Sequence, residues 1–172
     1  MKLLLTGATG FLGNSILRRI HTEPYNSKWL DKLVLLGHSE KRADEVRREY
    51  NLPVYIGDIK DTYFLDRIFA ENKISTIIHT AAIKYVSVSN DNPISTLETN
   101  VVGSYNLIKK AKQYEIKNLV GVSTDKAIMP TNVYGNSKRL MEKLFIGTGF
   151  TVVSGVNFFG SSGSVLDVWH KQ

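Results

Sequence analysis

Tyr134 and Lys138 stand four residues apart in the run Tyr134-Gly135-Asn136-Ser137-Lys138. On a helix, residues so spaced lie one above the other. An ammonium beside a phenol stabilises the phenolate and lowers a pKa that is about 10 in small compounds. A phenol tuned toward neutrality can accept the proton of an alcohol. Just upstream lies Ser123-Thr124-Asp125-Lys126, and the chain opens with Thr6-Gly7-Ala8-Thr9-Gly10-Phe11-Leu12-Gly13. In this order the three pieces read as redox chemistry on a sugar or a similar polyol.

The glycine-rich piece has the pattern Gly7-x-x-Gly10-x-x-Gly13 and follows an apolar run. The first Gly permits a tight turn, the second a close backbone approach to a pyrophosphate, and the third close packing of helix on strand. The helix N-terminus then faces the negative charge. Thr6, Gly7, Thr9, Gly10, Phe11, Leu12 and Gly13 are therefore expected against a dinucleotide. The ribose should be read after the second strand, at Gly37-His38-Ser39-Glu40-Lys41-Arg42. No carboxylate stands at that strand tip to hold a 2′-hydroxyl, and two cations follow. NADP is thus expected over NAD, with Ser39, Lys41 or Arg42 near the 2′-phosphate. The same two cations would also suit the solvated first turn of a helix. Asp58, in Gly57-Asp58-Ile59, suits a hydrogen bond to the adenine amino group, or alternatively a cap, and Ile59 beside it is expected against the cofactor. Ala81 and Ala82 are small enough to let the backbone lie against the cofactor.

A regular alternation of elements must position these groups. Strands are expected at Lys2–Thr6, Leu33–Gly37, Val54–Gly57, Thr76–Ala81, Leu119–Ser123 and Thr151–Val156, as short apolar runs. Helices are expected from Gly13 onward, over Lys41–Tyr50 and over Tyr63–Asn72 with Thr62 as its N-cap. Ile94, Leu97, Val101, Tyr105 and Ile108 recur at three- and four-residue steps, which predicts one long helix from Pro93 to Gln113. A further helix around Thr131–Phe145 carries the Tyr/Lys pair and ends at Gly147 and Gly149. Strands alternating with helices predict an α/β fold, a Rossmann-type doubly wound parallel sheet of about six strands. The 172 residues are expected to form one domain.

Composition narrows the classes of function. There is no Cys, and the four His residues show no metal-ligand spacing, so no metal site is expected. A hydrophobic fraction of 42% and a mean hydropathy of −0.13 describe an ordinary globular chain. The N-terminal apolar run breaks at Thr6-Gly7, too short for a signal peptide or a membrane span. A cytoplasmic protein without membrane attachment is the expectation. The net charge of +6 and pI near 9.4 fit a solvated basic surface, or attraction of anionic ligands such as a nucleotide-sugar. The cations are spread along the chain without an aromatic platform, so nucleic acid is not expected as a partner.

Six segments then carry a resemblance: Thr6–Gly13, Ala81-Ala82-Ile83-Lys84, Thr99-Asn100, Ser123-Thr124-Asp125-Lys126-Ala127, Pro130-Thr131-Asn132-Val133-Tyr134-Gly135 and Gly160-Ser161-Ser162-Gly163-Ser164-Val165. In this order they resemble the extended short-chain dehydrogenase/reductases. The subgroup most similar is the polysaccharide-biosynthesis dehydratases that remove water across C4–C6 of UDP-N-acetylglucosamine. The resemblance implies an NADP-dependent nucleotide-sugar dehydratase or epimerase. Tyr134 would take the 4-hydroxyl proton as hydride leaves C4. Lys138 would lower the Tyr pKa and hold the nicotinamide ribose, and Thr124 would hydrogen-bond the reacting oxygen. Lys126 would be the base at C5 and Asp125 the acid for the departing 6-hydroxyl. Lys84, Asn100 and Ser123 match cofactor-lining positions, Lys84 also a substrate position, and Asn157 a substrate-contacting one. The helices Pro93–Gln113 and Thr131–Phe145 match the pair that relatives use for dimerisation, so a homodimer or higher homo-oligomer is expected.

Relatives in this family are longer. The chain stops at Gln172, soon after Val165, so most of the usual C-terminal substrate region is expected to be lacking. Ser154 stands where relatives usually carry an Arg. The alternative expectation is a non-catalytic NAD(P)-binding module, or a family member that has lost substrate binding.

Overall fold

The computed structural model describes residues 1–23, 27–156 and 158. Six parallel strands form one sheet in the order β3-β2-β1-β4-β5-β6. They are β1 (Lys2–Thr6), β2 (Leu33–Gly37), β3 (Val54–Ile56), β4 (Ile74–His79), β5 (Asn118–Thr124) and β6 (Thr151–Gly155). Helices α1 (Phe11–Thr22), α2 (Glu40–Tyr50) and α3 (Thr62–Glu71) connect the first four strands. Between β4 and β5 come α4 (Val86–Asp91), α5 (Pro93–Leu97) and α6 (Ser104–Gln113), and α7 (Val133–Gly147) precedes β6. The expected doubly wound sheet is therefore present, and the expected strands differ from the observed ones only at their ends.

Alternation along each strand divides the core between two faces. Leu4, Leu36, Ile77 and Leu119 pack with Leu65, Ile68, Leu107, Met141 and Phe145 of α3, α6 and α7. Their neighbours Leu5 and Leu35 turn the other way, onto Leu17, Val46 and Tyr50 of α1 and α2. Each fully buried Leu of this kind stabilises the fold by about 2 kcal/mol. Because both faces are covered, the strands read as continuous apolar runs. The strand order reverses between β1 and β4, so their carboxyl ends open a crevice there.

Three local expectations are corrected. Asp61, not Thr62, caps α3: its carboxylate accepts from the amides of Tyr63 and Phe64 at 2.9 and 3.0 Å. The helix expected over Pro93–Gln113 changes its pitch, running as a π turn over Glu98–Gly103 between α5 and α6. Gly103 packs so closely on Ile59 that a Cβ there would lie 2.6 Å from its side chain. α4 has no counterpart among the expected elements, because Val86-Ser87-Val88-Ser89 carries neither a helical apolar stripe nor strong helix formers. No described helix is long and apolar enough to cross a membrane.

Candidate active site at the carboxyl edge of the sheet

The turn between β1 and α1 is shaped by steric necessity. Gly7 has φ +71°, and a Cβ on Gly13 would lie 2.2 Å from the Gly7 carbonyl oxygen. Only glycine lets the first turn of α1 press this closely on the strand end. Thr9 is buried and packs on Gly37 at the tip of β2. Phe11 and Leu12 begin α1 and are half-buried. The cradle suits a pyrophosphate, and one orphan group supports the fit. Ser123 Oγ, at the end of β5, is buried and has no hydrogen-bond partner among the described residues. A buried hydroxyl left unpaired costs about 1–3 kcal/mol, and a dinucleotide lying along this edge would satisfy it.

Behind the crevice runs a buried polar chain that the sequence reading did not find. His79 ends β4 at 1% exposure. Its Nδ1 lies 2.7 Å from Thr6 Oγ1 and its Nε2 2.9 Å from Ser104 Oγ. Ser104 donates its only hydroxyl proton to the Asn100 carbonyl at 2.7 Å. It must therefore accept from Nε2–H, which leaves Nδ1 to accept from Thr6. Burial and the nearby Lys138 push the His79 pKa down to about 3, so the ring is neutral. The signal was a histidine closing the apolar strand run Ile77-Ile78-His79.

Two residues expected at the cofactor are engaged in the same chain. Thr6 turns its hydroxyl inward to His79 and is fully buried. Asn100 directs its side chain into protein groups. It donates to the Ile83 carbonyl at 3.0 Å and to Ser137 Oγ at 2.9 Å, and accepts from the Ile83 amide at 2.8 Å. Ser137 in turn donates to the Tyr134 carbonyl at 2.7 Å. Asn100 thus ties the Ala81–Lys84 loop to α7. Ile59 buries its side chain in the core while its carbonyl accepts from Asn106 at 3.3 Å. Asp58 is half exposed, accepts from the Lys60 amide at 2.9 Å and lies 3.5 Å from its ammonium. Ser39 caps α2 by accepting from the Arg42 amide at 3.5 Å. Ala81 and Ala82 are half-buried after β4, and Lys84 is exposed with its ammonium 4.9 Å from the Tyr85 ring centre.

Thr124, Asp125 and Lys126 turn at the end of β5, immediately beside the start of α7. Asn132 caps α7 by accepting from the Gly135 amide at 2.9 Å. Gly135 makes the contact possible, because a Cβ there would lie 2.4 Å from the Lys126 carbonyl oxygen. Thr124 donates to Asp125 Oδ1 at 2.9 Å, and Lys126 Nζ lies 3.3 Å from the same oxygen. The Thr124 hydroxyl first, then the Lys126 ammonium, hold the Asp125 pKa below the usual carboxylate range, against a smaller opposing effect of burial. This corrects the expected proton state: in this arrangement the group is a carboxylate, not an acid.

The primed phenol is corrected too. Burial raises the Tyr134 pKa, with Asp125 adding to the rise and Thr124 opposing it. Lys138 is buried at 4% exposure. Its ammonium turns along α7 to Met141 Sδ at 3.2 Å. Burial lowers its pKa to about 8, against an opposing pull from Glu142. The pair shares one helix face as the spacing predicts, but the ammonium does not depress the phenol here. Asn157 lies outside the described residues. No group of three or more His, Asp or Glu among the described residues is placed to hold a metal.

The family described as polysaccharide biosynthesis protein matches residues 3–172. A UDP-glucose 4-epimerase of Rickettsia bellii is 32% identical over 99% of this chain and 52% of its own. An inverting UDP-N-acetylglucosamine 4,6-dehydratase of Campylobacter jejuni is 31% identical over 98% of this chain and 52% of its own. The chain thus spans about half the length of these curated relatives. Among solved structures, a double mutant of the dTDP-glucose 4,6-dehydratase DesIV of Streptomyces venezuelae, with NAD and DAU bound, superposes with a TM-score of 0.83. It is 22% identical and covers 99% of this chain and 61% of its own. With a family match from end to end, a sheet of the expected order and the motif residues gathered on its carboxyl edge, the chain belongs to the polysaccharide biosynthesis protein family, of the extended short-chain dehydrogenase/reductase type.

Proposed function

We propose that the protein is an NADP-dependent nucleotide-sugar dehydratase or epimerase acting on a UDP-linked sugar. The observation that carries this reading is the meeting of Thr124, Asp125, Lys126 and Tyr134 where the end of β5 touches the start of α7. A bound dinucleotide would supply the hydride acceptor and, later, the donor. It would be held by the Gly7–Gly13 turn, Ser123, the Ala81–Ala82 segment and Lys138. Tyr134, once its own proton has passed to solvent by way of Lys138, accepts the 4-hydroxyl proton of the sugar as the C4–H bond breaks, while Thr124 hydrogen-bonds the same oxygen. The resulting ketone acidifies C5. Asp125 and Lys126 carry between them the proton transfers that remove the C5 proton and release the 6-hydroxyl as water. Lys138, with its pKa near 8, relays protons between the phenol side of the site and solvent. Exposed apolar residues Leu97, Val102 and Tyr105 on the α5–α6 face and Leu140 on α7 support a homodimer, two-fold by default.

Incubation with NADP and UDP-N-acetylglucosamine, followed by mass spectrometry for loss of water and proton NMR of the sugar ring for epimerisation, tests the reading. Loss of one water, or a shift to the C4 epimer, is expected, and Tyr134→Phe should abolish it while leaving cofactor binding intact. The Lys138 ammonium resting on Met141 Sδ at 3.2 Å and the raised Tyr134 pKa favour one second reading, an NAD(P)-binding module without turnover. Tight cofactor binding with no product from any UDP- or dTDP-sugar would establish that instead.

A further inference from the structure

We propose that Arg18 and Arg42 together grip the 2′-phosphate of the dinucleotide, and that Arg18, on the first helix, contributes as much of the NADP preference as the arginine after β2. This rests on the reading that the glycine turn holds a dinucleotide. A cavity of about 290 Å³ opens beside that turn, with Thr9, Gly10, Asn14, Arg18, Arg42 and Glu45 in its lining. Its floor is the turn itself. One wall is the face of α1 on which Phe11, Asn14, Ser15 and Arg18 follow at three- and four-residue steps. The other is the first turns of α2, where Arg42 and Glu45 are three residues apart. Thr9 packs on Gly37 at the tip of β2, so the cavity adjoins the place where a doubly wound sheet receives the adenosine ribose.

Charge and pairing single out the two arginines. The neighbouring Arg19 pairs with Glu23 at 3.4 Å, whereas Arg18 turns to the cavity and to the Tyr50 phenol. Tyr50 itself donates to Asn14 Oδ1 at 3.3 Å, which braces the base of that wall. The Arg42 guanidinium forms no ion pair or side-chain hydrogen bond among the described residues. Two guanidinium groups face one carboxylate, Glu45, so the lining has a cationic surplus. A planar fork of N–H donors on each wall suits a phosphate dianion, which offers three acceptor oxygens. Ser39 and Lys41 are not part of the lining. Ser39 is engaged as the α2 cap, which narrows the sequence expectation to Arg42 and adds Arg18.

The test is titration of the intact protein with NADP⁺, NAD⁺ and adenosine 2′,5′-bisphosphate, in the wild type and in Arg18→Met, Arg42→Met and Glu45→Gln. Each arginine variant should weaken NADP⁺ and the bisphosphate by about tenfold or more, the loss expected for one charge-assisted hydrogen bond, with NAD⁺ changed by less than about twofold. Glu45→Gln should tighten NADP⁺ by about twofold to fivefold. Unchanged NADP⁺ affinity in Arg18→Met, equal losses for NADP⁺ and NAD⁺, or a wild type that prefers NAD⁺ would each overturn the clamp while leaving the dinucleotide reading intact. A wild type that binds none of the three ligands would overturn the dinucleotide reading itself.

Discussion

At the carboxyl ends of β1 and β4, polar side chains are buried and partnered. Thr6, His79, Ser104, Asn100 and Ser137 form one hydrogen-bonded series, roofed by a turn that tolerates no Cβ at Gly13. At the end of β5, Asp125 and Lys126 stand with about 40% and 37% of their side chains exposed, on a short 3₁₀ turn pressed against α7. The first region derives its shape from close packing and desolvation. The second derives its character from charge near water. Residues in the first should therefore be costly to change in stability and those in the second costly to change in activity.

The largest expected effect tests the second region. Tyr134→Phe removes a half-buried hydroxyl whose described neighbours are Thr124 and Asp125. Turnover should fall by on the order of a thousandfold, about 4 kcal/mol of barrier, with the thermal midpoint nearly unmoved. A large fall in thermal midpoint would break the comparison. Next comes the first region: Gly13→Ala places a methyl against the Gly7 carbonyl and should cost about 3 kcal/mol in urea unfolding. Little change there would mean that the turn yields easily.

A pH series sharpens the same contrast. His79 stays neutral in the native state down to about pH 3, while in the unfolded chain it takes a proton below about 6.5. The unfolded state thus binds more protons throughout that window. Stability is intact above about pH 6.5 and falls by a few kcal/mol as pH drops toward 3. His79→Gln should flatten that slope, although it also weakens the fold at neutral pH. An unaltered slope would assign the acid sensitivity elsewhere. The smallest effect is expected from Asp125→Asn, which should shift stability by less than about 1 kcal/mol because the ion pair is solvated. The same change should still impair water elimination, seen as accumulation of the 4-keto intermediate or loss of product.

Much of this architecture was legible in the sequence, and the exceptions share a cause. Strand runs such as Leu33–Gly37 could be read because burial on both faces leaves no polar interruption. The Tyr134–Lys138 helix could be read from its spacing and its closing glycines. His79 was passed over because its partners Thr6 and Ser104 are 73 and 25 residues away. The π turn was passed over because a three- and four-residue apolar step persists through it. The Tyr134 pKa runs opposite to the expectation because burial, which spacing along the chain does not reveal, dominates it, whereas the Asp125 shift comes from its sequence neighbours Thr124 and Lys126.

The amino-acid sequence by itself determined the order of elements, the glycine turn and the motif residues, because these follow from local pattern and from chain geometry within a few residues. Tertiary structure alone decided which groups are desolvated and what they touch. It desolvated Lys138, closed Thr6 and Asn100 into the interior, and set Arg18 across a cavity from Arg42. Electrostatic energies depend on distance and on the surrounding dielectric, and both are properties of the packed sheet and helices rather than of the chain.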